Sequence, residues 1–154
     1  MNIGSTLFLR GIIYLIGLSV LGLCVIFLGN AFGNVNVGAY FPLLIGMTIA
    51  AIPFIYALYQ GLLLLRYIDT NAPFSERSVR ALRVAGYCHF TVACMYAVAM
   101  PYVIYVADKD DAPGAVLIAL AIIFAFVVIG VFTAVCEKLV QKALDIKSEN
   151  DLTV

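Results

Sequence analysis

Four long apolar stretches, at about residues 11–28, 40–65, 84–107 and 115–139, constrain this chain more than any other feature. Each is long enough to cross a hydrocarbon core, which takes roughly 20 helical residues. Lipid cannot hydrogen-bond free backbone groups, so each stretch is expected to be a helix. Short outer connections make neighbouring helices antiparallel. The expected fold is all-α: a four-helix transmembrane bundle, antiparallel and up-down, forming one membrane domain over residues 1–154. Composition points the same way. Of the 154 residues, 64% are hydrophobic and 12% charged, against about half and a quarter in soluble domains. This excludes a disordered chain, a coiled coil and a basic nucleic-acid-binding domain. The bilayer is the expected partner, and no direct nucleic-acid contact is expected.

Basic residues set the orientation. Arg10 precedes the first stretch, Arg66, Arg77, Arg80 and Arg83 lie between the second and third, and Lys138, Lys142 and Lys147 follow the fourth. Lys109 alone falls on the other side. The positive-inside rule then places both termini, the 66–83 connection and the 140–154 tail in the cytoplasm of a multi-pass protein of the bacterial cytoplasmic membrane. The outer connections are an uncharged Gly/Asn segment at 29–38 and an acidic turn at 107–114 ending in Pro113-Gly114. The first apolar run exceeds the roughly 7–15 residues of a signal-peptide core, so it is expected to be retained. Leu23 stands before Cys24 where a lipoprotein signal wants a small residue. Cys24, Cys88, Cys94 and Cys136 form no C-x-x-C pair, which argues against a metal site. They read as small buried apolar side chains.

Polar residues within the spans are few. Gln60 lies about five residues from the inner end of the second span, and His89 about five residues into the third, so similar depth is expected. With Tyr59 and Glu137 they are expected to form an inner polar pocket, near Tyr56, Thr91 and Cys136. The plainer reading is hydrogen bonding between helices. No catalytic set emerges. The chain has one histidine, no HExxH pair and no phosphate-cradling glycine loop, and no serine has a recognisable base partner. No enzyme activity, cofactor or metal is expected. Pro53 and Pro101 are expected to kink their helices. The pairs Gly46/Ala50, Ala93/Ala97, Ala121/Ala125 and Gly130/Ala134 suit close helix packing, within the bundle or in a homo-oligomer. Tyr40, Tyr102 and Tyr105 at one boundary, with Tyr67 and Tyr87 at the other, form an aromatic belt.

The third helix is expected to start before its span. Ser75 is a good N-cap, Glu76 suits the helix dipole, and Phe74 with Val79 forms a hydrophobic staple. Arg77, Arg80 and Arg83 ride on this entry turn. They either touch anionic headgroups or join Glu76 in a docking face for a cytoplasmic partner. The fourth helix is expected to continue past Lys138, since Leu139, Ala143 and Leu144 keep helical spacing. The tail ends with Asp151, Leu152 and Val154, a short segment suited to a partner's edge or groove.

Particular segments carry a wider resemblance. They begin with Thr6-Leu7-Phe8-Leu9, Leu44-Ile45-Gly46-Met47, Ile52-Pro53-Phe54 and Ala57-Leu58-Tyr59-Gln60. Tyr67-Ile68-Asp69, Phe74-Ser75, Ser78-Val79-Arg80-Ala81-Leu82 and Tyr87-Cys88 follow, then Met100-Pro101 and Asp110-Asp111-Ala112-Pro113-Gly114. The close is Asp145-Ile146-Lys147-Ser148-Glu149-Asn150-Asp151-Leu152-Thr153-Val154. Across essentially the whole chain this resembles the YoaS-like branch of a bacterial family of four-span membrane proteins of unknown function. The resemblance implies genes that often stand beside a small helix-turn-helix regulator. It therefore implies a membrane protein that anchors or restrains such a regulator. The competing expectation is a small transporter or channel subunit, with Gln60, His89 and Glu137 lining a cytoplasmic vestibule.

Overall fold

The computed structural model describes residues 3–33, 38–70 and 73–152. They form four long helices: α1 (Ile3–Gly33), α2 (Phe41–Asp69), α3 (Glu76–Lys109) and α4 (Gly114–Leu152). A single 3-10 turn, Gly38–Tyr40, leads into α2. No strand occurs among the described residues. All four helices are long and apolar enough to cross a membrane.

Each helix outruns the apolar stretch that announced it, because polar side chains continue the turn at the ends. Residues 29–33, expected in a connection, belong to α1. There the Asn30 amide donates to the Ile26 carbonyl at 2.9 Å and so stays compatible with helix. The 66–83 connection shrinks to the few residues between Asp69 and Glu76. Thr70 closes α2, its N–H reaching the Arg66 carbonyl at 3.1 Å. Ser75 is extended (φ −141°, ψ 155°) and accepts from the Ser78 N–H at 3.3 Å, so α3 begins at the expected cap. The α3–α4 turn places Asp111 at φ 51°, a left-handed conformation that aspartate tolerates better than most residues.

Packing follows chain order: α1 lies on α2, α2 on α3, and α3 on α4. Two ion pairs fix the antiparallel sense. Arg10 near the start of α1 meets Asp69 at the end of α2 at 2.6 Å. Arg83 near the start of α3 meets Glu137 far along α4 at 2.8 Å. The starts of α1 and α3 and the later parts of α2 and α4 therefore share one end, here called the basic end.

The interior is built from small residues. Ala50, Ala57, Ala81, Ala85, Val92 and Ala93 are buried, whereas Phe8, Leu18, Val98 and Phe132 point outward. In lipid no hydrophobic force drives helices together, so small side chains that allow close backbone approach fill the seams. Gly130 illustrates this: a Cβ there would stand 3.2 Å from the Phe90 ring. Gly86 faces the same seam with more room, its nearest neighbour being a Thr133 methyl at 3.8 Å. Ala121 and Ala125 are exposed instead, so this small pair plays no part in internal packing. Among the cysteines Cys88 is buried and Cys24 and Cys136 are half-buried. Cys94, expected to be buried, is exposed because it lies on the outward face of α3. At the end opposite the basic one, Tyr102 and Tyr105 pack with centroids 6.0 Å apart. The Lys109 amine sits 4.7 Å from the Tyr105 ring centre, as in an aromatic belt.

Candidate site at the basic end

Among the hollows at the basic end, two border Arg77 and Arg80, one on each side of α3. The first lies between α2 and α3, with a volume near 390 Å³. Tyr56, Tyr59, Gln60 and Tyr67 of α2 line it, facing Arg77 and Arg80 of α3. The second, near 380 Å³, lies between α3 and α4 and is lined by Glu76, Arg77, Arg80, Arg83 and Gln141. Arg77 and Arg80 border both, so they form the ridge that divides them. Neither has an ion-pair partner among the described residues.

The helical register explains this placement. Arg77, Arg80 and Arg83 follow one another at three-residue intervals, each step turning back about 60°, so Arg83 stands about 120° round α3 from Arg77 and faces α4. The cap at Ser75 starts the helix early enough for all three to sit on it. Arg83, the deepest of the three, donates from Nε to Glu137 Oε1. Glu137's side chain is 12% exposed and Arg83's 52%, so the carboxylate is the sheltered partner.

The expected inner pocket is divided. Tyr59 and Gln60 line the α2–α3 hollow. Glu137 is held across α3 and α4 by Arg83 and borders a third hollow with Tyr87, Phe90 and Lys138. His89 sits deeper. Its ring stacks on Phe126 with centroids 6.3 Å apart, and Nδ1 is buried without a hydrogen-bond partner. Phe126 also meets Phe54 edge-on at 5.6 Å and stacks on Tyr96 at 6.5 Å. Gln60 and His89 share no hydrogen bond among the described residues. Gln60 is only 7% exposed and has no partner there either. Thr91 turns back on its own helix, donating to the Tyr87 carbonyl at 2.8 Å.

The docking residues fare differently. Glu76, Arg77, Arg80 and Arg83 do come together, around one hollow. Asp151 and Leu152 belong to the last turn of α4, well along from Gln141; Val154 lies outside the described residues. Sequence reasoning missed two things. It gave Arg10 and Asp69 no relation, although opposite charges at the ends of adjacent antiparallel spans were a usable signal. It also set Gln60 at the depth of His89, whereas the hollow brings it to the Arg77–Arg80 side of α3.

An apolar cavity of about 410 Å³ occupies the other half of the molecule, between α2, α3 and α4. Met47, Tyr96, Tyr102 and Ile122 are among its walls. It shares no lining residue with the hollows at the basic end. The Phe54–Phe126–His89 cluster lies between the two halves. Among the described residues no group of His, Cys, Asp and Glu side chains is placed to hold a metal ion.

Comparison with known proteins agrees with the membrane architecture. The family described as "Protein of unknown function (DUF2975)" matches residues 36–154. An "Uncharacterized membrane protein YoaS" from Bacillus subtilis (strain 168) is 47% identical over 161 aligned positions, covering 100% of both chains. No solved structure matches the chain.

Proposed function

The chain belongs to the DUF2975 family of proteins of unknown function, and from that premise we propose a non-enzymatic protein of the bacterial cytoplasmic membrane that holds a cytoplasmic partner at its basic end. Both termini face the cytoplasm in this reading. The observation that carries it is the α3–α4 hollow, where Glu76, Arg77, Arg80 and Arg83 gather their charges beside the neutral amide of Gln141. α4 has 39 residues, about 58 Å of helix against a hydrocarbon core of about 30 Å. The later part of α4 therefore projects beyond the bilayer next to that hollow. Arg83 is paired with Glu137, so the surplus charge is that of Arg77 and Arg80 against Glu76, which favours an acidic face on the partner. A small helix-turn-helix regulator is the class that the family resemblance implies. The test is co-purification of such a regulator with the full chain and with a chain cut after Ile146. Loss of the regulator on truncation, at unchanged membrane expression, supports the reading. Equal recovery with both chains refutes the role of the tail.

A second reading, a small transporter or channel subunit, draws on the cavities in both halves of the molecule with an aromatic cluster between them. It calls for solute flux in proteoliposomes that changes when Phe126 is reduced to alanine. Flux indifferent to Phe126 counts against it.

A further inference from the structure

We infer that the α2–α3 hollow is a binding site for an anionic phospholipid, with the phosphodiester between Arg77 and Arg80 and the glycerol-ester region against Gln60. This goes beyond the partner reading and needs no partner.

Three observations converge. The first is charge: two guanidiniums face the hollow, and no carboxylate neutralises either among the described residues. Guanidinium forks match phosphate oxygens and bind them through paired N–H donors. The second is Gln60. The residue is 7% exposed and lines the hollow, and its side chain makes no hydrogen bond among the described residues. Its amide is not sealed in the interior, where the fully buried unpaired side-chain atom among the described residues is His89 Nδ1; it opens on the hollow, where a ligand's ester carbonyl or hydroxyl would bond it in place of water. The third is position. Arg77 and Arg80 lie beside the α2 end marked by Asp69, where headgroups meet the helices, and Gln60 lies deeper along α2. Tyr56 and Tyr59 are 50% and 52% exposed, so this wall of the hollow is open sideways to lipid.

Shape separates a lipid from free phosphate. From Tyr67 to Tyr56 the hollow follows α2 for about 16 Å, far more than an inorganic phosphate fills. Along that length the lining grades from cationic, at Arg77 and Arg80, through neutral polar at Gln60, to the aromatic rings of Tyr59 and Tyr56. Phosphate, glycerol ester and the first acyl carbons follow the same sequence. Tyrosine rings suit this depth because one end is apolar and the other wet.

The experiment is native mass spectrometry of the full chain, released from a neutral detergent. Phosphatidylglycerol and phosphatidylcholine of equal chain length are supplied together. The expected result is retention of phosphatidylglycerol by about tenfold over phosphatidylcholine. Arg77→Gln/Arg80→Gln should reduce that preference to near unity. Lys138→Gln/Lys142→Gln, the same change in net charge, should leave it intact. Gln60→Leu should weaken retention of both lipids. If a double variant lost its helical signal, Arg80→Gln alone would replace it, and the preference must still fall. The inference is overturned if the full chain shows no preference, or if both double variants lose it equally. It is also overturned if excess inorganic phosphate displaces the lipid, which would make free phosphate the ligand.

Discussion

Arg83 Nε lies 2.8 Å from Glu137 Oε1, joining the first turns of α3 to the latter part of α4. The two partners are unequally sheltered. Glu137 is mostly covered, and Arg83 has half its side chain in the open. Removing Arg83 strands a sheltered carboxylate, whereas removing the carboxylate leaves a guanidinium free to find water or headgroups. Arg83→Ala should therefore lower the melting temperature in detergent more than Glu137→Ala. A double-mutant cycle should show coupling between the two. Equal losses without coupling would mean that the pair does not tie α3 to α4.

The α3–α4 seam depends on the missing side chain of Gly130. A β-branched residue there would drive into the Phe90 ring, which already stands at 3.2 Å from a Cβ. Gly130→Val should cost about 1–3 kcal/mol, the usual penalty of overpacking. Gly86→Ala, whose new methyl has ordinary contacts at 3.8 Å, should be neutral or stabilise by up to about 1 kcal/mol through reduced chain entropy. Thermal melts of the two variants check the contrast, and Phe90→Leu should recover part of the Gly130→Val loss.

His89 Nδ1 is buried and makes no well-formed hydrogen bond, its polar neighbour being the Ala85 carbonyl one turn back on α3. Replacing a buried unpaired group by an apolar ring of similar size removes its desolvation cost. His89→Phe should leave stability unchanged or raise it by about 1 kcal/mol, keeping the stack on Phe126. A clear loss of stability would show that Nδ1 has a partner in the folded protein.

Much of this fold was legible in the residues. The four apolar runs and the Ser75 cap announced the helices and the start of α3, because length and capping chemistry are local properties. Extents were less legible. Asn30 looks like a turn residue, yet its amide bonds back to Ile26 and lengthens α1. The inner pocket misled for a geometric reason. Depth was counted from the ends of the apolar stretches, while the helices run on to Asp69 and start at Glu76. Counted from those true ends, His89 lies about 6 Å deeper than Gln60. Apolar spans also carry little amphipathic signal, so nothing in them revealed which way Gln60, His89 and Glu137 turn. The place of the arginines on the entry turn of α3 was readable because the Ser75 cap fixes where that helix begins.

Orientation yields a separate expectation. A cysteine-free chain with one new cysteine at Ser148 should resist a membrane-impermeant thiol reagent in intact cells. The same chain with the cysteine at Asp110 should react. The reverse pattern would invert the topology and place the basic end outside.

The central claim is that the basic end holds a cytoplasmic protein through the α3–α4 hollow. The most direct measurement is a photo-crosslinking residue at Gln141, which borders that hollow with Glu76, Arg77, Arg80 and Arg83, activated in living bacteria that also make a candidate helix-turn-helix regulator. The account predicts a covalent adduct with the regulator that disappears in Arg77→Glu/Arg80→Glu. Adducts with lipid alone, or a regulator adduct indifferent to both arginines, would contradict it.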